Sequence, residues 1–498
     1  MSKLKMLGNC RYAAVVWMLV LLASFTANGG GQVSFQSMLS FNNAYAPEGN
    51  FDNGFTGPST LVQGRDGDLY GATEAGGAYS SGFGCGYATG TAFKMTPLDE
   101  LTTLHRFHQC LHSADGQYPQ SGLVLASNGA LYGTTVHGGS NVGTVFKLSG
   151  TTLTTFNFLH PTLDGDQPVA GLVQAADGYL YGTTNAGGAN GCGTVFKMSE
   201  TGAITPLYSF PAVPYCGYGD WGRIIQGSDG NLYGTVWASG AYAYGSIFKI
   251  NLQGQVSILH SFQGGLDGLN PGAGLVEGAD GDFYGTTEGG GVNNGGTIFK
   301  ITREGVKTVL FDHFGTPAVV GSGPNSLILA SDGNFYGTTK TGGPQCSAST
   351  TCGTIFMMTP EGGVRTIHVF DGTHGWRPAG GLVQYTDGSF YGMTSRGGGS
   401  LNCAPYSCGT IYHLTISGMA PFVQSVEASG RAGQVITILG NELSGTTEVL
   451  FNGVPARFVV YGNTYLTAIV PTGAETGFIT VNTRTGILTS NRQFEVVR

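Results

Sequence analysis

The histidines carry the side chain best suited to chemistry near neutral pH, as a general base or a metal ligand. Three of them, His105, His108 and His112, lie close together in the chain. His105, however, occupies the same place in its repeat unit as His260 and His368 occupy in theirs. A residue type that recurs at one position of a repeat indicates a role in packing the repeat. We therefore expect no catalytic residue, no metal site and no cofactor here.

The aspartates form two recurring sets, each followed by glycine. The first set is typical of turns, because Asn replaces Asp once and both residues support such turns. Its members are Asp66, Asn128, Asp177, Asp229, Asp280, Asp332 and Asp387. The second set consists of Asp115, Asp164 and Asp267. Calcium binding by Asp164 and Asp166 stays open as an alternative. The sequence does not single out two carboxylates as the acid and base of a glycosidase.

Motifs with a known catalytic or nucleotide-binding mechanism are absent from the sequence. It contains no Gly-x-Ser-x-Gly, His-Glu-x-x-His, Walker loop or EF-hand spacing. Lys and Arg number 22 against 30 Asp and Glu, and they form no basic stripe. We therefore expect no nucleic-acid partner.

Aromatic residues that depart from the repeat are stronger candidates for a binding site. Aromatic rings on loops suit stacking against sugar rings or partner side chains. The predicted ligand-binding patch comprises Tyr218, Trp221, Trp237, Tyr242 and Tyr244. The alternative is that these rings plug a tunnel mouth or cover strand edges.

The elements that must position these residues are marked by one phrase, an Asp-Gly or Asn-Gly turn followed by an aromatic-Gly pair, which occurs seven times. Its tyrosines are 62, 49, 52, 51, 52 and 55 residues apart, at Tyr70, Tyr132, Tyr181, Tyr233, Tyr284, Tyr336 and Tyr391. Such periods indicate a repeat architecture. Each unit contains four short runs of β-branched and aromatic residues between turn-forming pairs, which predicts antiparallel hairpins.

Four strands per repeat unit are typical of a β-propeller blade, although a β-solenoid also stacks repeats. The chain ends favour the propeller. Residues 37–41 resemble an outermost strand such as residues 258–262, while the seventh unit stops after its third strand at residues 410–414. The N-terminal strand would supply the missing fourth strand and close the ring. We predict an all-β chain with a seven-bladed β-propeller closed by its N-terminal strand.

Strands A to D of a blade run from the centre outward, so the B–C and D–A connections emerge on the same face. We call this the loop face, and we call the face with the A–B and C–D turns the turn face. The loop-face connections vary in length and contain all predicted patch residues. Variable loops on a rigid scaffold commonly carry function.

The cysteines that follow the N-terminal segment number eight, as expected for disulfides in an oxidising compartment. Cys85 and Cys192 lie in B–C loops, and Cys110 and Cys216 follow strand D of the same blades at separations of 25 and 24 residues. The predicted pairs are Cys85–Cys110, Cys192–Cys216, Cys346–Cys352 and Cys403–Cys408. The rival, a zinc site, lacks Cys-x-x-Cys and paired His spacing.

The repeated phrase Asp-Gly-x-[Leu/Phe]-Tyr-Gly-Thr-Thr, followed by Gly-Gly and Gly-Thr-[Val/Ile]-Phe-Lys, resembles the GloVer-repeat family of secreted bacterial propeller-like proteins. The resemblance covers about residues 33–416, and blade four departs from it at residues 236–238. It implies an extracellular repeat protein and brings no established activity or catalytic residue.

After Gly418 the phrase disappears, and the C-terminal residues resemble an IPT/TIG domain, which we place at residues 420–498. The resemblance rests on Gly433-x-Val435-x-Thr437-Ile438-x-Gly440 and Val449-x-Phe451-Asn452-Gly453-x-Pro455-Ala456. It implies a small immunoglobulin-like sandwich used in binding or spacing. The many short alternating strands agree with a sandwich.

Residues 1–29 have the features of a signal peptide, with basic residues, an apolar run at residues 13–25 and small residues near a cleavage point. The alternative is an uncleaved membrane anchor, although the run is short for a span. Cleavage would remove three positive charges and no negative ones, which changes the net charge from −8 to −11. We expect a secreted or cell-surface protein, with the periplasm as an alternative and no membrane span after cleavage.

Two function classes remain open. The missing catalytic constellation and the appended binding-type sandwich favour a non-catalytic binding protein, acting as a monomer on an extracellular glycan or protein. Carbohydrate binding would then use the loop face. The alternative is a carbohydrate-active enzyme, a glycoside hydrolase or lyase, with its site on the same face. Propellers host both kinds of function, so the fold does not decide.

Overall fold

The computed structural model describes residues 32–41, 60–74, 88–108, 115–139, 141–212, 222–315, 320–343, 352–398 and 409–497. Strands dominate these ranges, beside one short helix, α1 (Pro161–Asp164), and 3-10 turns at Gly265–Asp267 and Leu443–Gly445. None of the helices in the ranges given is long and apolar enough to cross a membrane. The predicted signal peptide, residues 1–29, lies outside the described residues.

Seven four-stranded antiparallel sheets lie between residues 33 and 416 of the described chain. The N-terminal strand is β1 (Val33–Ser40). From the innermost strand outward, blade 1 contains β2 (Val62–Gln63), β3 (Leu69–Thr73), β4 (Ala88–Met95) and β5 (Leu101–His108). Blade 2 contains β6 (Val124–Leu125), β7 (Leu131–Thr135), β8 (Thr144–Ser149) and β9 (Thr152–Asn157). Blade 3 contains β10 (Val173–Gln174), β11 (Leu180–Thr183), β12 (Thr194–Met198) and β13 (Ile204–Ser209).

The remaining blades repeat this order. Blade 4 contains β14 (Ile225–Gln226), β15 (Leu232–Val236), β16 (Ser246–Ile250) and β17 (Val256–Ser261). Blade 5 contains β18 (Val276–Glu277), β19 (Phe283–Thr287), β20 (Thr297–Ile301) and β21 (Lys307–Phe311). Blade 6 contains β22 (Ser322–Leu329), β23 (Phe335–Thr341), β24 (Thr354–Met358) and β25 (Val364–Val369). Blade 7 contains β26 (Trp376–Gln384), β27 (Phe390–Arg396) and β28 (Thr410–Ile416), with β1 as its outermost strand.

The first and last blades are joined, as a closed ring requires. Strand β1 pairs antiparallel with β28, from Val33 opposite Ile416 to Ser40 opposite Thr410. On the inner side, Gln63 Nε2 donates to Thr386 Oγ1 at 2.9 Å and links blade 1 to blade 7. The predicted propeller closed by an N-terminal strand is therefore confirmed, with the strand beginning a few residues earlier than the sequence suggested.

A second kind of hydrogen bond connects several neighbouring blades. A glutamine or glutamate at the end of strand A accepts from a backbone N–H in the A–B turn of the preceding blade. The acceptor–donor pairs are Gln63–Thr386, Gln174–Ser127, Gln226–Ala176, Glu277–Ser228 and Gln384–Ser331, at 2.7 to 3.1 Å. These bonds fix the angle between blades at the level of the turns.

Within each blade, an aromatic ring of strand C covers the glycine of the repeated aromatic-Gly pair. In blade 3, Gly182 lies opposite Phe196, and a Cβ added to Gly182 would be 2.6 Å from Phe196 Cζ. Equivalent pairs are Gly71–Phe93, Gly133–Phe146, Gly234–Phe248, Gly285–Phe299, Gly337–Phe356 and Gly392–Tyr412. All seven rings are buried. The glycine is therefore required because the ring occupies the space of its side chain.

The tyrosine that precedes this glycine binds the turn aspartate. Tyr181 donates its hydroxyl to Asp177 Oδ2 at 2.7 Å. Burial and this hydrogen bond raise the pKa of Tyr181. The pairs Asp66–Tyr70, Asp229–Tyr233, Asp280–Tyr284 and Asp332–Tyr336 repeat the contact. The turn role predicted for these aspartates is what the structure shows.

The C-terminal residues form two further sheets. The four-stranded sheet has the order β29 (Gln424–Ser425), β31 (Val435–Leu439), β35 (Tyr465–Ile469), β34 (Phe458–Val460). The five-stranded sheet has the order β30 (Ser429–Arg431), β37 (Ile487–Val497), β36 (Gly477–Asn482), β32 (Glu448–Phe451), β33 (Val454–Pro455). Buried Ile436, Leu466, Val481 and Phe494 belong to one shared core. The predicted immunoglobulin-like sandwich is confirmed.

Replacing Gly182 with Ala should destabilise the propeller by about 1–3 kcal/mol, since the new methyl group would overpack against Phe196 and Leu172. Urea unfolding would measure the loss. Gly462→Ala is the control, because a Cβ there meets nothing within 4 Å, and a change near zero is expected. The cost of Gly182→Ala should shrink in a Phe196→Leu background. An equal cost in both backgrounds would contradict the steric explanation.

Strand β1 should weaken in acid because of His368. The ring of His368 stacks on Phe35 of β1 at 3.7 Å, and burial lowers the pKa of His368 to about 4. A lowered folded-state pKa contributes stability that is complete above about pH 6.5 and is lost as the pH falls towards 4, up to about 3 kcal/mol. Measuring urea midpoints from pH 7.5 to 4 would test this.

The matched variant for that measurement is His368→Phe, because Phe156 and Phe311 hold the equivalent position in blades 2 and 5. It should lose less stability than the parent between pH 6.5 and 4. Parallel pH profiles for parent and variant would show that His368 does not titrate in this way.

Candidate functional site

Three residues of the predicted aromatic patch belong to the described residues, and two do not. Tyr218 and Trp221 lie outside them. Trp237 is partly buried, whereas Tyr242 and Tyr244 are 54% and 45% exposed. All three lie on the loop face, after strand β15 of blade 4. The described part of the predicted patch therefore consists of two exposed tyrosines and one partly buried tryptophan.

Asn270, a residue of the following D–A loop, bonds the backbone of both Trp237 and Tyr244. Asn270 Nδ2 donates to the carbonyl of Trp237 at 3.1 Å, and its backbone N donates to the carbonyl of Tyr244 at 2.8 Å. The Tyr244 ring packs near Gly264, 3.3 Å from where a Cβ would lie. The Trp237 ring lies instead beside Gly272. The binding patch proposed from the sequence stays a prediction.

The neighbours of Trp237 are a charged pair from blades 5 and 6. A Cβ placed on Gly272 would lie 3.4 Å from Trp237 Cδ1 and 2.8 Å from Glu288 Oε1, so both side chains flank this glycine. Lys340 Nζ forms an ion pair with Glu288, and their side chains are 43% and 31% exposed. We call Trp237, Glu288 and Lys340 the rim triad.

Glu288 and Lys340 were not singled out from the sequence, although a signal exists. Both follow the Thr-Thr pair of strand B, where Trp237 follows the corresponding Thr-Val. The seven residues at this position are Glu74, Val136, Asn185, Trp237, Glu288, Lys340 and Ser395. The preceding residues repeat closely while this position varies in charge, size and polarity. A variable position beside a nearly constant one indicates where the repeat can take on a specific role.

The histidines that recur in strand D are held by packing and by aspartates of the second set. His105, His260 and His368 contact Phe107, Phe262 and Phe370 with ring centroids 4.8 to 5.1 Å apart. His105 Nε2 lies 3.0 Å from Asp115 Oδ2, and His260 Nε2 lies 3.0 Å from Asp267 Oδ2. These histidines thus serve the structure of their blades.

The remaining aspartates of interest have different surroundings. Asp164 Oδ2 accepts from the backbone of His160 at 3.0 Å. Burial raises the pKa of Asp166. Burial opposes ionisation of Asp267 too, but hydrogen bonds from Lys307 and the Gln263 backbone outweigh it and lower its pKa. The described ranges contain no group of three or more His, Cys, Asp or Glu side chains that could hold a metal ion.

Two of the eight cysteines, Cys192 and Cys352, fall within the described residues, and both are buried. The others lie outside: Cys85, Cys110, Cys216, Cys346, Cys403 and Cys408. Each predicted pair includes at least one of these, so the four disulfides remain predictions.

The turn face is covered by the C-terminal sandwich. Arg65 of blade 1 donates to Thr437 Oγ1 at 2.9 Å, and Thr464 Oγ1 donates to the carbonyl of Arg65 at 2.6 Å. Asn441 Nδ2 donates to Thr386 Oγ1 of blade 7 at 3.0 Å. A cavity of about 30 Å³ remains where blades 2 and 3 meet the sandwich. Its lining includes Ser127 and Gly178 of the blades and Glu427 and Gln434 of the sandwich. That volume holds about one water molecule, so this cavity is not a site for an organic ligand.

Charged side chains of blades 4 and 5 face strand β37 of the sandwich. Arg303 Nη2 donates to Glu277 Oε1 at 2.8 Å and also to Ser228 Oγ. Glu495 of β37 lies near Glu277 and Asp229. Burial, followed by the charges of these two carboxylates, raises the pKa of Glu495 to about 7.

Comparison with known families accounts for nearly the whole chain. The model of the Gloeobacter/Verrucomicrobia repeat matches residues 25–215 and 220–449, and the model of the IPT/TIG domain matches residues 421–496. No curated protein matches the chain.

Solved structures with similar folds differ strongly in sequence. The extracellular domain assigned to a one-component system of B. thetaiotaomicron is 11% identical, with a TM-score of 0.46, 93% of this chain covered and 58% of that one. The chain thus spans less than two thirds of that domain's length. A periplasmic gluconolactonase of Pseudomonas aeruginosa is 17% identical, with a TM-score of 0.40 and coverages of 63% and 85%. A fungal alcohol oxidase is 13% identical, with a TM-score of 0.43 and coverages of 90% and 99%. Likeness at this level says nothing about substrate.

Ionisation of Glu495 should weaken the packing of the sandwich on the propeller. A raised folded-state pKa contributes stability that is complete below about pH 4.5 and is lost as the pH rises through about 7. Because Glu495 is partly exposed, we expect a loss of about 1 kcal/mol. Calorimetry of parent and Glu495→Gln at pH 4.5, 6, 7 and 8.5 would measure the difference.

In that experiment the stability of the parent relative to Glu495→Gln should fall up to pH 7 and then level off. Glu361→Gln, which changes an exposed carboxylate of a blade 6 turn, is the control and should show no such trend. A difference between parent and Glu495→Gln that does not vary with pH would contradict the prediction.

Proposed function

This chain belongs to the Gloeobacter/Verrucomicrobia repeat family, with a C-terminal IPT/TIG domain, and we propose that it is an exported, non-catalytic protein that binds a saccharide on its loop face. The rim triad of Trp237, Glu288 and Lys340 is the observation that carries the proposal. An aromatic ring beside a carboxylate and an ammonium offers stacking for a sugar ring and hydrogen-bonding groups for its hydroxyls. Tyr242 and Tyr244 provide further exposed aromatic surface nearby.

The position of the IPT/TIG domain supports use of the loop face. The domain contacts turns of blades 1 and 7 through Arg65 and Thr386, so the turn face is occupied. The rim triad lies at the opposite ends of its strands. Ligand access to the propeller is therefore more direct from the loop face, where the connections are also most variable in sequence.

The surroundings of Glu288 and Asp267 favour binding over catalysis. Glycoside hydrolysis needs one carboxyl group as an acid and a second as a base or nucleophile beside the same bond. Glu288 is engaged by Lys340, and Asp267 by His260 and Lys307. Carboxylates held by cations in this way are well suited to orient ligand hydroxyls. A carbohydrate-active enzyme remains the alternative that the test below can reveal.

The chain should bind a component of a glycan array, and Trp237→Ala should weaken that binding about tenfold to a hundredfold, which corresponds to about 1.4 to 2.8 kcal/mol. The reason is loss of the indole ring of Trp237, on which a sugar ring would stack. Titration calorimetry with the ligand found on the array would measure the affinity, and Tyr242→Ala and Tyr244→Ala would show whether the tyrosines contribute.

Tyr179→Ala is the matched control, since Tyr179 is 39% exposed but lies at the A–B turn on the turn face. It should bind as the parent does. A folded Trp237→Ala variant with unchanged affinity would contradict the proposal. Cleavage of the ligand by the parent, abolished in Glu288→Gln, would replace it with the enzymatic alternative.

A further inference from the structure

Another position on the loop face differs between blades, and it lies in the D–A loop directly before a proline. It falls within the described residues in five blades, and each of the five residues has a positive φ, between 53° and 64°. Each is partly accessible to solvent, while the proline that follows is buried. We call them the collar residues: Tyr118, Gln167, Asn270, Gly323 and Arg377.

The backbone of each collar residue is fixed by the preceding blade. Its N–H donates to the carbonyl of the residue before a glycine near the start of strand C; for Arg377 this acceptor is Cys352, at 2.8 Å. The proline packs on that glycine, since a Cβ on Gly353 would lie 2.5 Å from Pro378 Cδ. The other four blades repeat both contacts, with N–O distances of 2.8 to 3.0 Å. Collar side chains therefore project from a rigid support, as a binding site requires.

A collar side chain begins beside the residue that follows the Thr-Thr pair of its own blade, the position that the rim triad occupies. In blade 6, a Cβ on Gly323 would lie 3.6 Å from Lys340 Cβ. In blade 7 the residue at the position of Lys340 is Ser395, and its Oγ donates to the carbonyl of Arg377 at 3.0 Å. Arg377 therefore continues the row of the rim triad in the next blade.

Arg377 is the charged member of the collar. A left-handed backbone is strained for a long side chain and natural for glycine or asparagine, the residues that blades 6 and 5 have at this position. Within the described residues, the Arg377 guanidinium forms no hydrogen bond or ion pair. A partly accessible cation that costs backbone strain and makes no polar contact of its own indicates a role in binding.

An aromatic ring and a second arginine lie next to Arg377. Trp376 precedes Arg377 at the start of β26, and it lies opposite Arg396 at the end of β27. Arg396 Cζ is 5.2 Å from the centre of the Trp376 ring, which is a cation–π contact. Both side chains are partly accessible. We call Trp376, Arg377 and Arg396 the blade 7 triad.

The charges in this region leave an excess of positive charge on the loop face. Lys340, Arg377 and Arg396 all lie at the loop-face ends of strands A and B of blades 6 and 7. The carboxylates nearby are Glu288, paired with Lys340, and Asp371 of the same D–A loop, held by His374 at 2.8 Å. Lys and Arg account for only 22 of 498 residues, and the chain has a net charge of −8. Three cations in two adjacent blades are therefore a local concentration.

We propose that the blade 7 triad binds the anionic group of an acidic saccharide, a carboxylate or a sulfate, while the rim triad holds the neighbouring sugar ring. This inference rests on the proposed function and names the class of its ligand. Arginine suits such a group because its planar guanidinium donates paired hydrogen bonds to two oxygens. The Trp376 ring adds a surface on which the acidic sugar can pack.

The test is binding of the purified full chain to a glycan array that carries each backbone in a neutral, a uronate and a sulfated form. An acidic form should bind at least about tenfold more tightly than the neutral form of the same backbone. That preference should shrink as sodium chloride is added, because salt screens charges at an accessible site. Whether the uronate or the sulfated form ranks first identifies the anionic group that the site takes.

Arg377→Gly is the main variant, because glycine holds this position in blade 6 and suits a positive φ, so the variant should fold. It should weaken binding of the acidic form by about tenfold or more and leave the affinity for the neutral form unchanged. Arg396→Gln should act in the same direction. Arg365→Gln is the control, since Arg365 is an exposed arginine of β25 near the turn face, and it should bind as the parent does.

Equal binding of acidic and neutral forms by the parent would overturn this inference and leave the proposed saccharide binding intact. A folded Arg377→Gly variant that keeps the full preference for acidic forms would overturn it as well. Absence of binding to every glycan on the array would contradict the proposed function and this inference together.

Discussion

The contact between an aromatic ring of strand C and the glycine opposite it in strand B is the constraint on which each blade depends. The ring of Phe196 lies so close to Gly182 that even a methyl group would clash. The same contact occurs in all seven sheets, so the aromatic-Gly pair is a packing unit. In five blades the tyrosine of this pair donates its hydroxyl to the turn aspartate. The residues of the repeated phrase thus serve the packing and the turns of the blades.

Because the repeated residues serve the fold, specialised roles fall to positions that the repeat leaves free. One such position follows the Thr-Thr pair at the end of strand B, where the side chain reaches the loop face. Trp237, Glu288 and Lys340 are successive occupants of it. A second position lies ten residues before the repeated tyrosine, where Arg223 replaces the glycine or small hydroxyl residue of the other blades. Both can vary in side chain without disturbing the ring-over-glycine contact.

Features that depend on local residue spacing could be predicted from the sequence. Features that depend on the angle between neighbouring blades could not. The tyrosine spacing predicted the sheets. The extra N-terminal strand, together with the seventh unit that stops after three strands, predicted the pairing of β1 with β28. The ion pair between Glu288 and Lys340 joins residues 52 apart, and it forms only because two blades lie side by side at a fixed angle. The hydrogen bonds from Asn270 to the carbonyls of Trp237 and Tyr244 likewise depend on how loops of adjacent blades contact each other.

The packing of the IPT/TIG domain was not predicted from the sequence, although the residue before each turn aspartate carries a signal of it. That position holds Arg65, Ser127, Ala176, Ser228, Ala279, Ser331 and Thr386. Arg65 is the single large residue, and it bonds both Ser127 of blade 2 and Thr437 of the domain. The turn glycines themselves are not explained by docking, since Gly67 meets Thr464 whereas Gly178 and Gly230 meet nothing, and all three have positive φ. Turn geometry therefore preserves the glycine, and the arginine beside it adds a hydrogen bond from blade 1 to the domain.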